Sequence, residues 1–300
     1  MKFTPLQYRW LHCFIFLWSI CGISHYGESQ TASSGEIYPK SFTQYFFVPS
    51  PINPAGIGQE DKVELKSITH FFSNGPFRNV YQTAGHASYR LGDSLKMKHA
   101  IGLSYQFEKD GGYLNRSRAY VNYVLSRQLF PTINFSIGIA LGGFDYTVVP
   151  TNSNVGGGEL VPDGKFGVYL QHSSWSLGIS LNQLFDNTIS PFDATFDLPR
   201  YPIAIGHYKM NAGLNHVLFR ARMQAQSNEL KWQGSVHYLY YSRIEMGIGL
   251  NSQFESIWNI GVTQIPMFFT ELDFGLAYTQ GLANTSLNTL TQLEIYLFVH

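Results

Sequence analysis

Histidine, serine and carboxylate side chains are the groups here that could carry chemistry, and their spacing decides which chemistry that could be. Ten histidines are scattered through the chain, among them His70, His86, His99, His172, His207, His216 and His237. None belongs to H-E-x-x-H or to another close ligand pair, so no metal site is expected. Lone histidines on strands read as lumen or girdle residues. A hydrolase needs a serine beside a base, and Ser104 with His99 or Ser180 with His172 are the candidate pairs. No G-x-S-x-G elbow supports either one, and the nearby Gly102 and Gly178 alternate with serine as strand residues do. Gly247-Ile248-Gly249 has no third glycine and no following helix, which removes a phosphate loop. Asp110-Gly111-Gly112 is a turn without the further carboxylates that calcium requires. Asn152–Gly158 reads as a flexible polar loop. No catalytic residue, no cofactor and no metal is expected.

The elements that must position these residues are strands. Period-two alternation dominates, with Ile101, Leu103 and Tyr105 set against Gly102, Ser104 and Gln106. The same rhythm runs through Ile133–Gly142 and Trp175–Asn182. One face is apolar and the other small or polar, which a parallel sheet buried on both faces would not show. Cutting at turn signals predicts about fourteen strands, near 62–72, 79–91, 97–108, 117–127, 132–146, 164–172, 174–183, 202–212, 215–224, 230–240, 243–250, 256–264, 270–280 and 289–299.

Composition agrees with an all-β transmembrane antiparallel barrel. Charged residues make up 13% and aromatics 16%, with 28 glycines and no net charge. Neutrality argues against nucleic acid as a partner. Residues 1–29 read as a signal peptide: Lys2 and Arg9 lead into an apolar run, Cys13–Ile23, and cleavage suits Ser29 or Ser24. A lipoprotein reading through Cys21 meets a poor residue in Ile20. Both cysteines fall in this segment, so the mature chain would carry no thiol. Residues 30–61 form a docking or plug segment, and 62–300 form the barrel.

Connections sort by parity. The longest, Thr147–Asp163 and Leu184–Tyr201, follow odd strands, while Ser173, Gly213-Leu214 and Tyr241-Ser242 follow even ones. Long loops outside and tight turns inside are the habit of outer-membrane barrels. Tyr81, Tyr89, Phe107, Tyr240, Tyr241, Phe268, Phe269 and Tyr278 are candidates for the interfacial girdles. The final strand, with Leu293, Ile295 and Leu297 on one face, carries Glu294, Tyr296 and Phe298 as a C-terminal barrel signal. Inward positions read as mostly Gly, Ser, Asn and Ala with occasional Arg118, Arg220, Arg222, Glu271, Asp273 and Glu294. Such a lumen admits either water or a plug.

Between the signal and the first strand, Ser41–Gly58 is aromatic first (Phe42, Tyr45, Phe46, Phe47) and then breaks at Asn53-Pro54-Ala55-Gly56. F-T-Q-Y, seven residues, then N-P-A-x-x-G resembles the N-terminal signature of the PorP/SprF family. The matching residues are Phe42, Gln44, Tyr45, Asn53, Pro54, Ala55 and Gly58. The likeness continues through Gly102–Phe107, Pro162–Tyr169, Ser176–Leu184, Asp273–Tyr278 and Leu293–Ile295. It departs at Phe71–Gly75, where members often carry Arg and Trp, and at Gln292, where His is common. The resemblance implies an integral outer-membrane component of type IX secretion or gliding, without catalysis or cofactor. Its implied partners are outer-membrane lipid, periplasmic lipoproteins, peptidoglycan-binding proteins and secreted cargo. A passive or substrate-selective porin is the alternative function, and a barrel hydrolase a third.

Overall fold

The computed structural model describes residues 42–59, 62–72, 80–91, 97–112, 114–150, 156–190, 195–226, 229–267, 270–281 and 292–299. The expected signal peptide, its cleavage points and both cysteines lie outside them. The first strands are β1 (Val63–Phe72), β2 (Val80–Leu91), β3 (Met97–Asp110), β4 (Leu114–Phe130) and β5 (Ile133–Val148). There follow β6 (Gly157–His172), β7 (Trp175–Asn182), β8 (Asn187–Ile189), β9 (Phe196–Leu198), β10 (Tyr201–Ala212) and β11 (Asn215–Gln226). The last are β12 (Glu229–Tyr240), β13 (Ile244–Asn251), β14 (Glu255–Met267), β15 (Thr270–Gly281) and β16 (Gln292–Val299). All except β8 and β9 form one closed barrel of fourteen strands. Each strand pairs with its sequence neighbour, β7 pairing directly with β10. Antiparallel pairing of β1 with β16, from Leu65 opposite Val299 to Phe72 opposite Gln292, closes the cylinder. Closure leaves no edge to template another chain.

The alternation explains the closure. Along β1, Val63, Leu65 and Phe71 are exposed while Glu64, Lys66, Ile68 and His70 are buried. On β3 the same holds for Ile101, Leu103 and Tyr105 against Ala100, Ser104 and Gln106. Polar residues inside and apolar residues outside reverse the order of a soluble domain, and lipid on the outer face accounts for it. Trp258 on β14 points outward and is 56% exposed. Its fluorescence should therefore be quenched when the barrel is reconstituted with brominated acyl chains. Trp258→Phe should reduce the quenchable signal, leaving the share of Trp175 and Trp232, which lie on the same outward parity of β7 and β12. Emission unchanged by brominated lipid would place Trp258 off the membrane face.

Most strand ends fall within a few residues of those predicted. The exception is β6, which begins at Gly157, because its ladder with β5 runs without a break from Val148 opposite Gly157 to Ile133 opposite His172. The loop predicted over Thr147–Asp163 thus shrinks to 149–156. Gly157 and Gly158, taken as loop, are strand residues, and 151–155 lie outside the described residues. Leu184–Tyr201, also taken as a plain loop, contains a small hairpin with Asn187 opposite Leu198. Ile189 and Leu198 of that hairpin are buried against Phe144, Tyr146 and Val161, which face inward from β5 and β6. The long-loop mouth is thereby folded over.

The opposite rim is built from tight turns at Pro131-Thr132, Ser173-Ser174, Gly213-Leu214 and Tyr241-Ser242. Tyr241 and Ser242 both take the left-handed region (φ 48 and 55), and Arg243 N donates to Tyr240 O at 2.9 Å. Two left-handed residues in a row give the twist that joins antiparallel strands most directly. Of the girdle candidates, Tyr89, Tyr240, Tyr241 and Tyr278 are exposed near strand ends, and Tyr81 lies 5.8 Å from Phe107 across β2 and β3. Phe268 and Phe269 lie outside the described residues.

Candidate functional site in the barrel lumen

The lumen is occupied by the chain's own residues 42–59. Asn53 starts a single 3-10 turn, Pro54–Gly56, by accepting a hydrogen bond from Ala55 N at 2.9 Å, and Pro54 supplies a preset φ where no donor is needed. The Asn53 amide also donates outward, to the carbonyls of Val168 (3.1 Å) and Ile179 (3.4 Å) on β6 and β7. Three wall glycines make room for this turn. A Cβ at Gly138 would sit 2.4 Å from Ala55 N, one at Gly167 2.0 Å from Asn53 Oδ1, and one at Gly178 2.8 Å from Asn53 Nδ2. Gly58 has φ +68 and its hydrogen faces Ala100, so both backbone and space require glycine there.

The aromatic half is held by rings and charge. Phe47 stacks on Tyr296 at 3.9 Å between centroids, and Phe42 packs with Ile68, Ala84, Tyr296 and Phe298. Phe46 lies under the Arg220 guanidinium at 3.4 Å and meets His237 edge-on at 5.3 Å. Arg220 and His237 both engage Glu245, at 2.6 and 2.7 Å, so the cation over Phe46 is fixed by a buried carboxylate. Tyr45 is buried with Ile52, Tyr201, Ile203 and Ile205, and burial pushes its hydroxyl above its ordinary range.

Polar side chains of the wall address the segment's main chain. Glu294 on β16 accepts from Thr43 N at 2.6 Å and Gln44 N at 2.9 Å, with His70 Nδ1 3.2 Å from the oxygen that Thr43 uses. Gln233 donates to Thr43 O (2.6 Å), Lys165 to Pro51 O (2.9 Å) and Ser180 to Ile52 O (2.7 Å). Gly58 N donates to Glu64, which also meets His86 at 3.3 Å. The Gln44 side chain donates to Asn259. Beyond the segment, toward the folded hairpin, lies a polar layer: Glu108 with Arg116 and Gln106, Tyr120 donating to Asp163 at 2.5 Å, and Arg118 over Phe144.

The structure brings the two sequence-predicted groups together. Phe42, Gln44, Tyr45, Asn53, Pro54, Ala55 and Gly58 are in the lumen, and Glu294, Tyr296 and Phe298 face inward onto them. The sequence reading missed the wall partners Glu64, His70, Lys165, Gln233 and Glu245, and it took the lumen for mostly small residues. That expectation is corrected: buried charges are frequent, with Glu64, Lys165 and Glu294 bonded to the segment and Arg220–Glu245 and Arg116–Glu108 paired across the wall. Their inward parity was the available signal. Glu271 is exposed instead, and Asp273 is half-buried, accepting from Gln264 N at 2.7 Å where β14 bulges. The serine–histidine pairs do not form. Ser104 and His99 are five residues apart on one strand and so face opposite sides, Ser104 meeting Asn122 and His99 meeting Tyr123. Ser180 holds Ile52, and His172 meets Ser174. Among the described residues no group of three His, Cys, Asp or Glu could hold a metal ion.

The family model described as type IX secretion system membrane protein PorP/SprF matches residues 34–298. The chain belongs to the PorP/SprF family. It is an outer-membrane β-barrel of the type IX secretion system. Solved structures of similar fold include a FadL homologue from Pseudomonas aeruginosa, with TM-score 0.56, 10% identity, and 88% of this chain and 99% of that one covered. The CymD monoaromatic hydrocarbon channel gives TM-score 0.55 and 13% identity, over 86% of this chain and 91% of that one. The Pseudomonas putida toluene transporter TodX gives 0.50 and 10%, over 89% and 94%. At these identities the likeness is one of fold. No curated protein sequence matches this PorP/SprF chain.

Proposed function

We propose that this PorP/SprF barrel is a non-catalytic component of the secretion machinery that supports export or surface attachment of cargo proteins. Its short-turn rim faces the periplasm, where lipoproteins and peptidoglycan-binding proteins of the system dock. The N-terminal segment around Phe42, Gln44, Tyr45 and the Asn53–Gly58 turn is the part that answers to those partners. The observation that carries this reading is the occupied lumen: residues 42–59 sit on inward side chains from strands all around the barrel. A lumen filled by a buried, hydrogen-bonded occupant differs from the open water channel of a diffusion porin. Deleting the gene should abolish surface display of at least one cargo protein, measured by protease shaving of whole cells, and the wild-type copy should restore it. Intact display in the deletion strain, together with a large steady conductance of the purified barrel in planar bilayers, would turn the reading toward a porin.

A further inference from the structure

We propose that the lumen wall is a binding site for a turn-forming polypeptide segment of a second protein, with residues 42–52 as its resident, exchangeable occupant. The inference rests on the reading above that this barrel engages protein partners. The first support is what the wall recognises. Glu294, Gln233, Lys165 and Ser180 all bond to main-chain atoms of the segment. Any residue placed along the same path offers those atoms, so the seat selects a backbone course plus two aromatic slots, at Arg220 and Tyr296. The second support is that the segment is no part of the barrel's ladder. Its backbone–backbone hydrogen bonds are internal, such as Phe47 N to Gln44 O and Ile52 N to Pro49 O. The cylinder closes through β1 and β16 without it, so its departure costs no ladder bond. The third support is an imperfect match. The Tyr45 hydroxyl and Gln44 Oε1 are buried without hydrogen-bond partners, and so is Arg222 Nε on the wall, whose guanidinium lies 5.8 Å from the Tyr45 ring. Arg222 already donates to Gln224 through its terminal nitrogen, and an occupant with a carboxylate in place of Tyr45 would give its unpaired Nε an acceptor. The partner is thus a turn-forming segment with two adjacent aromatic residues and an acidic residue just before them.

The test uses the full mature chain in detergent and a fluorescent synthetic peptide with the sequence of residues 42–58. In the wild type the tethered resident competes at an effective concentration on the order of millimolar, so the peptide should bind weakly. Replacing Phe46 and Phe47 by serine in the chain should free the seat and tighten peptide binding by ~10-fold or more. Adding Glu294→Gln should reverse that gain, and a peptide carrying Tyr45→Glu should bind more tightly than the unaltered one. Heat-dependent gel mobility checks that the barrel is folded, and Asn53→Ala is a milder release variant for the same assay. A folded variant whose residues 42–52 are open to chymotrypsin, yet which binds peptide no better than wild type, overturns the proposal. So does a resident that stays protected in both variants, or equal binding of a peptide lacking both phenylalanines. Peptide exchange is scored apart from cargo display, so failure here leaves the secretion role standing.

Discussion

Gly167→Val should expel the Asn53–Gly58 turn from the barrel. The new Cβ would lie 2.0 Å from Asn53 Oδ1, 2.9 Å from its Cγ and 3.2 Å from Pro54 Cδ. Asn53 has no free direction of retreat, since its oxygen caps Ala55 N and its amide is bound to Val168 and Ile179. Ala55 itself already lies against Gly138. Overpacking at such a point costs about 1–3 kcal/mol or more, and about 1 kcal/mol is added for each seat hydrogen bond lost with it. The expected result is chymotrypsin cleavage within 42–59 and a rise in single-channel conductance, with the barrel still resistant to heat. Gly206→Ala is the matched control, because a Cβ there meets only Leu177 Cδ1 at 3.8 Å. Full protection of 42–59 in the valine variant would mean that the turn does not depend on the wall in this way.

Glu294→Leu should weaken the barrel at its seam. Glu294 is 1% exposed and serves two backbone donors and His70 at once. Leucine leaves Thr43 N and Gln44 N buried without an acceptor, and each donor stranded in this way typically costs about 1–3 kcal/mol. The loss falls on β16, which pairs with both β15 and β1, so the closing strand should be the first to fray. In urea the unfolding midpoint should drop clearly for leucine and by less for Glu294→Gln, whose amide oxygen still accepts one hydrogen bond. Identical midpoints for leucine and wild type would show that the carboxylate contributes nothing to closure.

The barrel was legible in the sequence because lipid and lumen impose opposite demands on alternate residues, and each strand is long enough to display both. The β8–β9 hairpin was not legible, since two strands of three residues cannot show a period. The start of β6 was hidden for a different reason. Gly157-Gly158 looks like a turn, and only the ladder with β5 makes it a strand. The lumen site was half legible. Its aromatic run and Asn-Pro turn stand out along the chain, whereas their partners do not, because the bond from Thr43 to Glu294 spans 251 positions. No local pattern encodes a meeting that depends on how the sheet closes.

That separation also sets a chronology for biogenesis. Thr43 and Gln44 are bound by Glu294 on β16, so the interior cannot be finished before that strand has been made and paired. Long-range contacts of this kind form late. Until then the aromatic leader is solvent-exposed, adhesive and available to a chaperone, and its withdrawal into the cylinder marks a molecule whose assembly is complete.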